Sequence, residues 1–238
     1  MFILLLVPLQ AIATDMPTLV LNDTNEPPFT TAQKDGFLDI VASEAFRRAG
    51  AKLQLIKLPA ERGLINANAG LEDGDLTRIA GLERLYPNLV RVPEKLIDWE
   101  FVAFSKNRSI PATWPDIRKH IVGHITGWKI YEQQLKGARQ IVSANGPTQM
   151  FSLLDRDRID IALYAQWMGQ SYIKQLKLKG IYQLKPRLAK KEMFIYLNNR
   201  HRFFVPKLAK ALRALKREGF YQRIQRDKLS AYIEKGTR

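Results

Sequence analysis

The feature that most constrains the fold is an alternation of strand and helix patterns that occurs twice along the chain. In the first run, TLVL at 18–21 is typical of a buried strand, and KLQLIKLP at 52–59 alternates with the period of two expected of a strand. Between them, GFLDIVASEAFRRAG at 36–50 has apolar residues at helical spacing and ends on a capping glycine. With a short helix at 61–70 and a strand that ends at Leu76, the order is β-α-β-α-β, which indicates a parallel sheet covered by helices.

The second run follows an apolar extended segment at 99–105 and has three more strand patterns, each followed by a helix pattern. These strands begin at Ile121, Arg139 and Ile159, and a helix is predicted to start at Trp128 directly after Gly127. The chain crosses back in another extended apolar segment at 192–198. The predicted fold class is therefore α/β with two lobes, each a mixed, mostly parallel sheet flanked by helices, and the two extended crossings form a two-strand hinge.

The domain boundaries follow from this pattern. Residues 1–13 are predicted to be a signal peptide, 14–103 plus 195–238 a discontinuous first lobe, and 104–194 a second lobe. The remaining segment at 206–229 is predicted to be helical throughout, with Leu208, Leu212 and Leu215 on one face.

The predicted signal peptide, MFILLLVPLQAIA, is an apolar run too short to span a membrane, and it ends in a small-x-small cleavage pattern. It lacks the basic residues that usually precede such a run. We nevertheless expect an exported, soluble protein. The absence of cysteine excludes disulfides, thiol catalysis and cysteine-rich metal sites.

The net charge of +15 is high for a protein that binds a small molecule. It leaves three interpretations open: a solvated basic surface with a preference for anionic ligands, an anionic membrane surface, or nucleic acid. Export argues against nucleic acid, and the first interpretation is the most ordinary of the three.

The stretch DGDLTRIAGLER at 73–84 is the leading candidate for the binding site. It is predicted to be a strand that opens into a glycine-containing loop and enters a helix near Leu82, and α/β sheets bind ligands at such strand ends. The guanidinium of Arg84 offers a planar pair of donors that matches a carboxylate. An equally weighted alternative is that Arg78 and Arg84 only form surface ion pairs with neighbouring acids.

Six segments, in a shared order and spacing, carry a resemblance to a known family: EPPFT at 26–30, GFLDIVASEAFRRAG at 36–50, DGDLTRIAGLER at 73–84, IVGHITG at 121–127, DRIDIALY at 157–164 and LKREGFYQRI at 215–224. Over almost its whole length the chain resembles the bacterial extracellular solute-binding proteins of family 3, the type II periplasmic binding proteins of polar amino-acid ABC transporters. The resemblance implies that Arg84 grips a ligand carboxylate and that Phe29 lies over the ligand.

Other positions depart from the family pattern. Trp128 and Lys129 stand where paired Ser or Thr are usual, and Tyr164 and Ala165 stand where an acid usually receives the ligand's amino group. We therefore expect an anionic or uncharged polar ligand rather than a free amino acid. The predicted ligand-binding residues are Arg84, Phe29, Arg78, Arg62, Gly127, Trp128 and Tyr164.

Structural alternatives remain open for several of these residues. Phe29 could pack the loop, Trp128 and Trp167 could be core or rim residues, and Arg62 could cap a neighbouring helix. His120 and His124 straddle a predicted strand start and His201 is distant in sequence, so no metal site is predicted.

These observations predict a monomeric periplasmic solute-binding protein that captures a small polar, carboxylate-bearing ligand between its lobes and delivers it to an ABC permease in the inner membrane. No cofactor, catalytic residue or nucleic-acid partner is predicted. Two alternatives stay open: a ligand-sensing module for a membrane signalling partner, and a dehydratase-like enzyme on the same fold, for which no acid-base pair can be assigned.

Overall fold

The computed structural model describes residues 16–126 and 128–232. The predicted signal peptide at 1–13 and the candidate ligand-binding residue Gly127 lie outside these residues.

Strands and helices alternate as the sequence predicts. The strands are β1 (Thr18–Asn22), β2 (Lys52–Ile56), β3 (Gly74–Arg78), β4 (Leu89–Arg91), β5 (Ile97–Ser105), β6 (Ile121–Ile125), β7 (Gln140–Ala144), β8 (Ile161–Ala165), β9 (Tyr182–Gln183) and β10 (Ala189–Asn198). The helices are α1 (Phe37–Ala49), α2 (Ala60–Ala69), α3 (Trp114–Ile117), α4 (Lys129–Glu132), α5 (Pro147–Asp155), α6 (Gln166–Gln175), α7 (Phe204–Arg217) and α8 (Phe220–Leu229). Short 3-10 turns occur at Leu82–Arg84, Asn199–His201 and Ser230–Tyr232.

The strands hydrogen-bond in the order β2-β1-β3-β10-β5-β8-β6-β7, with β4 also paired to β10 and β9 to β5. At one end β1 is parallel to β2 and β3, and at the other end β6 is parallel to β7 and β8. The middle strands β5 and β10 are antiparallel to each other and to their other neighbours. This is the predicted mixed α/β fold, with two largely parallel lobes.

The crossings β5 and β10 each serve both lobes. Residues 189–193 of β10 pair with β5, whereas its remaining residues pair with β3 and β4. Similarly, residues 97–101 of β5 pair with β10 and residues 101–104 pair with β8. Together the two strands are the only sheet connection between the lobes within the described residues.

Helix α1 shows how local sequence sets the packing. Its apolar residues at three- and four-residue spacing are fully buried, among them Val41, Ala45 and Phe46. It ends at Gly50, whose left-handed φ of 89° lets its N–H bond to the carbonyl groups of Arg47 and Phe46. The predicted helix with its glycine cap is confirmed.

The segment predicted to be one continuous helix is two helices, so this prediction was wrong. Gly219 adopts a left-handed φ of 72° between α7 and α8, a conformation that side chains with a Cβ disfavour. The break lets both helices pack against α1. Leu208, Leu212 and Leu215 are all buried on one face of α7, as predicted.

Two other elements are shorter than predicted, and one is longer. The helix expected from Trp128 to Leu135 is the single turn α4, and the N–H groups of Gln134 and Leu135 share the carbonyl of Tyr131 in the turn that follows it. The helix expected near Leu82 is a 3-10 turn. Strand β3 continues to Arg78 instead of ending at Leu76, since Arg78 still pairs with β10.

Candidate functional site

The first-lobe side of the candidate site contains a buried ion pair between Arg78 and Asp75. Arg78 Nη2 lies 2.7 Å from Asp75 Oδ2 and 2.8 Å from the carbonyl oxygen of Ala60, while Asn22 donates to the same carboxylate oxygen at 3.1 Å. The Asp75 side chain is 0% exposed and that of Arg78 is 13% exposed. The alternative prediction, that Arg78 pairs with a neighbouring acid on the surface, is right about the ion pair and wrong about its location, because the pair is buried inside the lobe.

This pair is only partly satisfied by the protein. Burial raises the pKa of Asp75, and the charge of Arg78 opposes that rise. Asp75 Oδ1 and Arg78 Nε are both buried, and neither has a hydrogen-bond partner among residues 16–126 and 128–232. Arg78 Nε is thus a donor left over at the end of β3.

A second network fixes the loop that carries Phe29. Lys57 Nζ lies 2.6 Å from Asp23 Oδ2 and 2.9 Å from Thr30 Oγ1, and it also bonds to the carbonyl of Asn25. Asp23 is fully buried, so its charge depends on Lys57 for compensation. The loop is tied to β3 as well, because Asn25 donates to Thr77 at 2.8 Å.

Arg84 and Arg62 differ from Arg78 because neither forms a hydrogen bond or ion pair with any described residue. Arg84 is exposed in the Leu82–Arg84 turn, and its neighbour Glu83 interacts instead with Tyr196 and Arg91. Arg62 is exposed in the first turn of α2. Both guanidinium groups keep their full set of donors.

The second-lobe side of the site is aromatic. Trp128 stacks on Tyr164 with ring centroids 4.7 Å apart, on Tyr131 at 5.9 Å and on Trp99 of β5 at 6.2 Å. Tyr131 is fully buried and its hydroxyl donates to the carbonyl of Tyr164 at 2.6 Å. These contacts hold Trp128 in place at the start of the short α4.

Phe29 extends this stack from the first lobe. Its ring lies 6.4 Å from that of Trp99 at an interplanar angle of 16°, and it is 1% exposed. In this arrangement Phe29 packs on an aromatic neighbour, as the structural alternative anticipated. Its predicted role over a ligand stays a prediction.

One contact joins the lobes directly and was missed by sequence reasoning. The Tyr164 hydroxyl of β8 donates to Glu26 Oε2 at 3.0 Å, and Tyr172 of α6 also hydrogen-bonds to Glu26. Burial, reinforced by the Glu26 carboxylate, raises the pKa of both tyrosines. An acid therefore does face Tyr164, but it comes from the loop before Phe29. Its position in the EPPFT motif was the available signal.

Trp167 does not join this aromatic cluster. It lines a separate cavity of about 510 Å³ on the other face of β5, where alternation places Asp98 and Glu100 opposite Trp99 and Phe101. Residues of α8, including Tyr221 and Gln225, close its far side.

The three histidines have local roles. His124 is buried, with Nδ1 3.0 Å from the carbonyl of Ile125, and His201 contacts Asp73 at 2.5 Å. His120 lies 3.8 Å from Asp160. In residues 16–126 and 128–232 no group of acids and histidines could hold a metal ion. The helices in those same ranges include none that is long and apolar enough to cross a membrane.

Comparison with known proteins shows the fold. No protein-family model matches the chain. An uncharacterized protein of Shewanella oneidensis is 23% identical over 234 residues, which cover 91% of this chain and 84% of that protein. Among solved structures, a histidine kinase sensor domain with similarity to periplasmic binding proteins superimposes with a TM-score of 0.74 at 16% identity, covering 90% of this chain and 97% of that one.

The substrate-binding protein of an amino-acid ABC transporter is similar to the same degree, with a TM-score of 0.70 at 17% identity over 90% of this chain and 99% of that chain. At these identities the likeness establishes the fold. The chain has the two-lobe architecture of periplasmic binding proteins, and the predicted fold class is confirmed.

Proposed function

We propose that the protein is a periplasmic solute-binding protein that captures a small polar, carboxylate-bearing ligand between its lobes for an ABC-type transporter. The observation that supports this most strongly is the contact of Glu26 in the first lobe with Tyr164 and Tyr172 in the second. It brings charged and aromatic side chains of two lobes to one place, next to the strands that would act as a hinge.

The proposed carboxylate anchor is Arg84, assisted by Arg62 and by the unpaired Nε of Arg78. An arginine without a protein partner can offer both parallel N–H groups to a carboxylate. Further donors are proposed near Gly127, from the backbone alone. Because α4 is a single turn, these donors would act without the dipole of a long helix.

Glu26 changes the expected ligand preference. The sequence predicted that no acid would receive an amino group, and carboxylates without one were expected to bind better. Glu26 is only partly buried and is held by two phenols rather than by a cation. A ligand with both a carboxylate and an ammonium group would therefore find a partner for each.

A thermal-shift screen tests this proposal with matched compounds, namely succinate, glutamate and arginine, each at a range of concentrations. A ligand at a hundred times its Kd stabilises the protein by about 2.7 kcal/mol. Small-angle scattering on each hit should show a smaller radius of gyration with ligand. Hits without any change in scattering would argue against closure around the 97–105 and 189–198 crossings.

A sensing role is the second candidate, and the similarity to a histidine kinase sensor domain is the observation that favours it. Crosslinking in the native host, with a photoreactive residue at the exposed position Lys179, would separate the two. Capture of a permease supports transport, and capture of a kinase or cyclase supports sensing. A dehydratase-like enzyme is the least supported function because no acid-base pair can be assigned around Glu26.

A further inference from the structure

Helix α7 presents a strongly basic face that the proposed function does not use. The buried side consists of Phe204, Val205, Leu208, Ala209, Ala211, Leu212 and Leu215. The opposite side carries Phe203, Lys207, Lys210, Arg213 and Arg217, all exposed. Their spacing of three and four residues places them in one row along the helix. We call these five residues the α7 basic face.

The positive charge of this face is largely uncompensated. Lys207, Lys210 and Arg217 form no ion pair with any residue in the described part of the chain. The fourth cation, Arg213, lies 3.8 Å from Glu94, whose carboxylate is already bound by Lys216 at 2.5 Å. Glu218, the next acid along the chain, is bound by Arg48 at 2.8 Å.

Phe203 adds an apolar group to the end of the row. Its side chain is 56% exposed, which is high for a phenylalanine, and Lys207 Nζ lies 5.2 Å from the centre of its ring. A phenylalanine beside lysines is the composition of surfaces that rest on a membrane, where the ring enters the headgroup region and the cations meet phosphates. A nucleic-acid surface would instead interleave several aromatic side chains with the cations, for base stacking.

We propose that the α7 basic face docks the protein onto an anionic phospholipid surface. Each lysine or arginine near such a surface contributes about 1 kcal/mol of attraction, and the contributions act together. Docking would be weak and reversible, and it would keep the protein next to a membrane partner without blocking the cleft. The inference does not depend on the identity of the cleft ligand.

Sedimentation with vesicles tests the proposal. One set of vesicles contains 30% phosphatidylglycerol in phosphatidylcholine, and the other contains phosphatidylcholine alone. The triple variant K207Q/K210Q/R217Q should bind the anionic vesicles about a hundredfold less tightly than the unmodified protein, which corresponds to about 3 kcal/mol. The matched control K136Q/K179Q/K185Q removes three exposed cations that pair with no acid in the described ranges and lowers the net charge equally, and it should lose less than threefold.

A second variant separates lipid from other polyanions. Phe203→Ser should weaken binding to anionic vesicles severalfold but leave binding to double-stranded DNA unchanged. Equal losses for the two triple variants would overturn the proposal in favour of a diffuse charge effect. Stronger binding to DNA than to vesicles, or no vesicle binding at 50 mM salt, would also overturn it. Circular dichroism and the thermal-shift response to succinate, glutamate and arginine should be unchanged in all variants. Failure of the membrane-docking proposal would therefore leave the proposed solute-binding function intact.

Discussion

The two sides of the candidate site are built from different chemistry. In the first lobe, the buried acids Asp23 and Asp75 are each held by a cation, Lys57 and Arg78 respectively. In the second lobe, the corresponding region is filled by stacked rings around Trp128. Buried charges require fixed partners, whereas stacked rings tolerate small displacements. The comparison indicates that the first lobe holds its polar groups in fixed positions, whereas the aromatic side chains of the second lobe can adjust by small displacements.

The strongest test of this contrast removes a cation from the first lobe. Arg78→Ala leaves the fully buried Asp75 without its ion-pair partner, so the free energy of unfolding at pH 7 should fall by about 3–5 kcal/mol. Without Arg78 the pKa of Asp75 should rise further above its unfolded value. A carboxyl whose pKa is raised by folding destabilises the folded state only at pH values where it must ionise. The loss of stability in Arg78→Ala should therefore become smaller as the pH is lowered toward 4.

Urea unfolding at pH 7 and pH 4 measures this difference. Arg84→Ala is the matched control, because it removes an exposed arginine without a partner and should change stability by less than about 1 kcal/mol. A loss that is the same at both pH values would contradict the role assigned to Asp75.

The next prediction concerns ligand affinity. Arg84→Ala should weaken binding of the best hit from the ligand screen by about a hundredfold or more, since it leaves a desolvated carboxylate unpaired. Arg84→Lys should restore only part of the affinity, because an ammonium keeps the charge but loses the planar pair of donors. Calorimetry measures both. Normal affinity in the alanine variant would show that Arg84 is not the anchor.

A smaller effect is expected in the aromatic wall. Tyr131→Phe keeps the ring stack with Trp128 but removes the buried 2.6 Å hydrogen bond from the Tyr131 hydroxyl to the Tyr164 carbonyl. The free energy of unfolding should fall by about 1–3 kcal/mol, with no pH dependence between pH 5 and 8. Chemical denaturation across that range is the measurement. A loss of stability that depends on pH would mean that the stacked rings around Trp128 also depend on an ionised group.

The smallest predicted effect lies where the two sides meet. Glu26→Gln replaces a charged acceptor by a neutral one, which weakens the hydrogen bonds from Tyr164 and Tyr172 by about 1 kcal/mol. The ratio of open to closed form in the ligand-free protein should therefore rise about fivefold. Small-angle scattering of the ligand-free protein would detect the shift toward the open form as a larger radius of gyration. An unchanged radius would show that the hydrogen bonds to Glu26 do not hold the lobes together.

The sequence predicted those parts of the fold that depend on local pattern. The helix ending at Gly50, the extended form of each crossing and the buried row of Leu208, Leu212 and Leu215 all follow from periodicity and capping within a few residues. The break at Gly219 was visible as a glycine, but a helical pattern continues on both sides of it. Whether such a glycine ends a helix depends on packing against α1, which is remote in the chain.

The candidate site was less predictable because its contacts are long-range. The Tyr164 hydroxyl bonds to a residue 138 positions away, and Asn22 and Asp75 are 53 apart. The family pattern places the acid directly after DIAL, whereas Glu26 reaches Tyr164 from a loop near the start of the chain. Arg78 and Arg84 are six residues apart and have the same side chain. Arg78 is paired because it is buried beside Asp75, whereas Arg84 is exposed, and the sequence does not reveal this difference in burial.

The pairing of β10 has a consequence for the order in which the molecule can assemble during synthesis. The second lobe is continuous in the chain between the crossings, whereas the first-lobe sheet needs β10, and α1 needs α7 and α8 against it. A ribosome must therefore deliver almost the entire polypeptide before β3 can pair with β10 and α1 can pack against α7 and α8. The N-terminal third of the nascent chain stays incomplete until then, and its exposed β3 edge is the segment a chaperone would have most reason to shield.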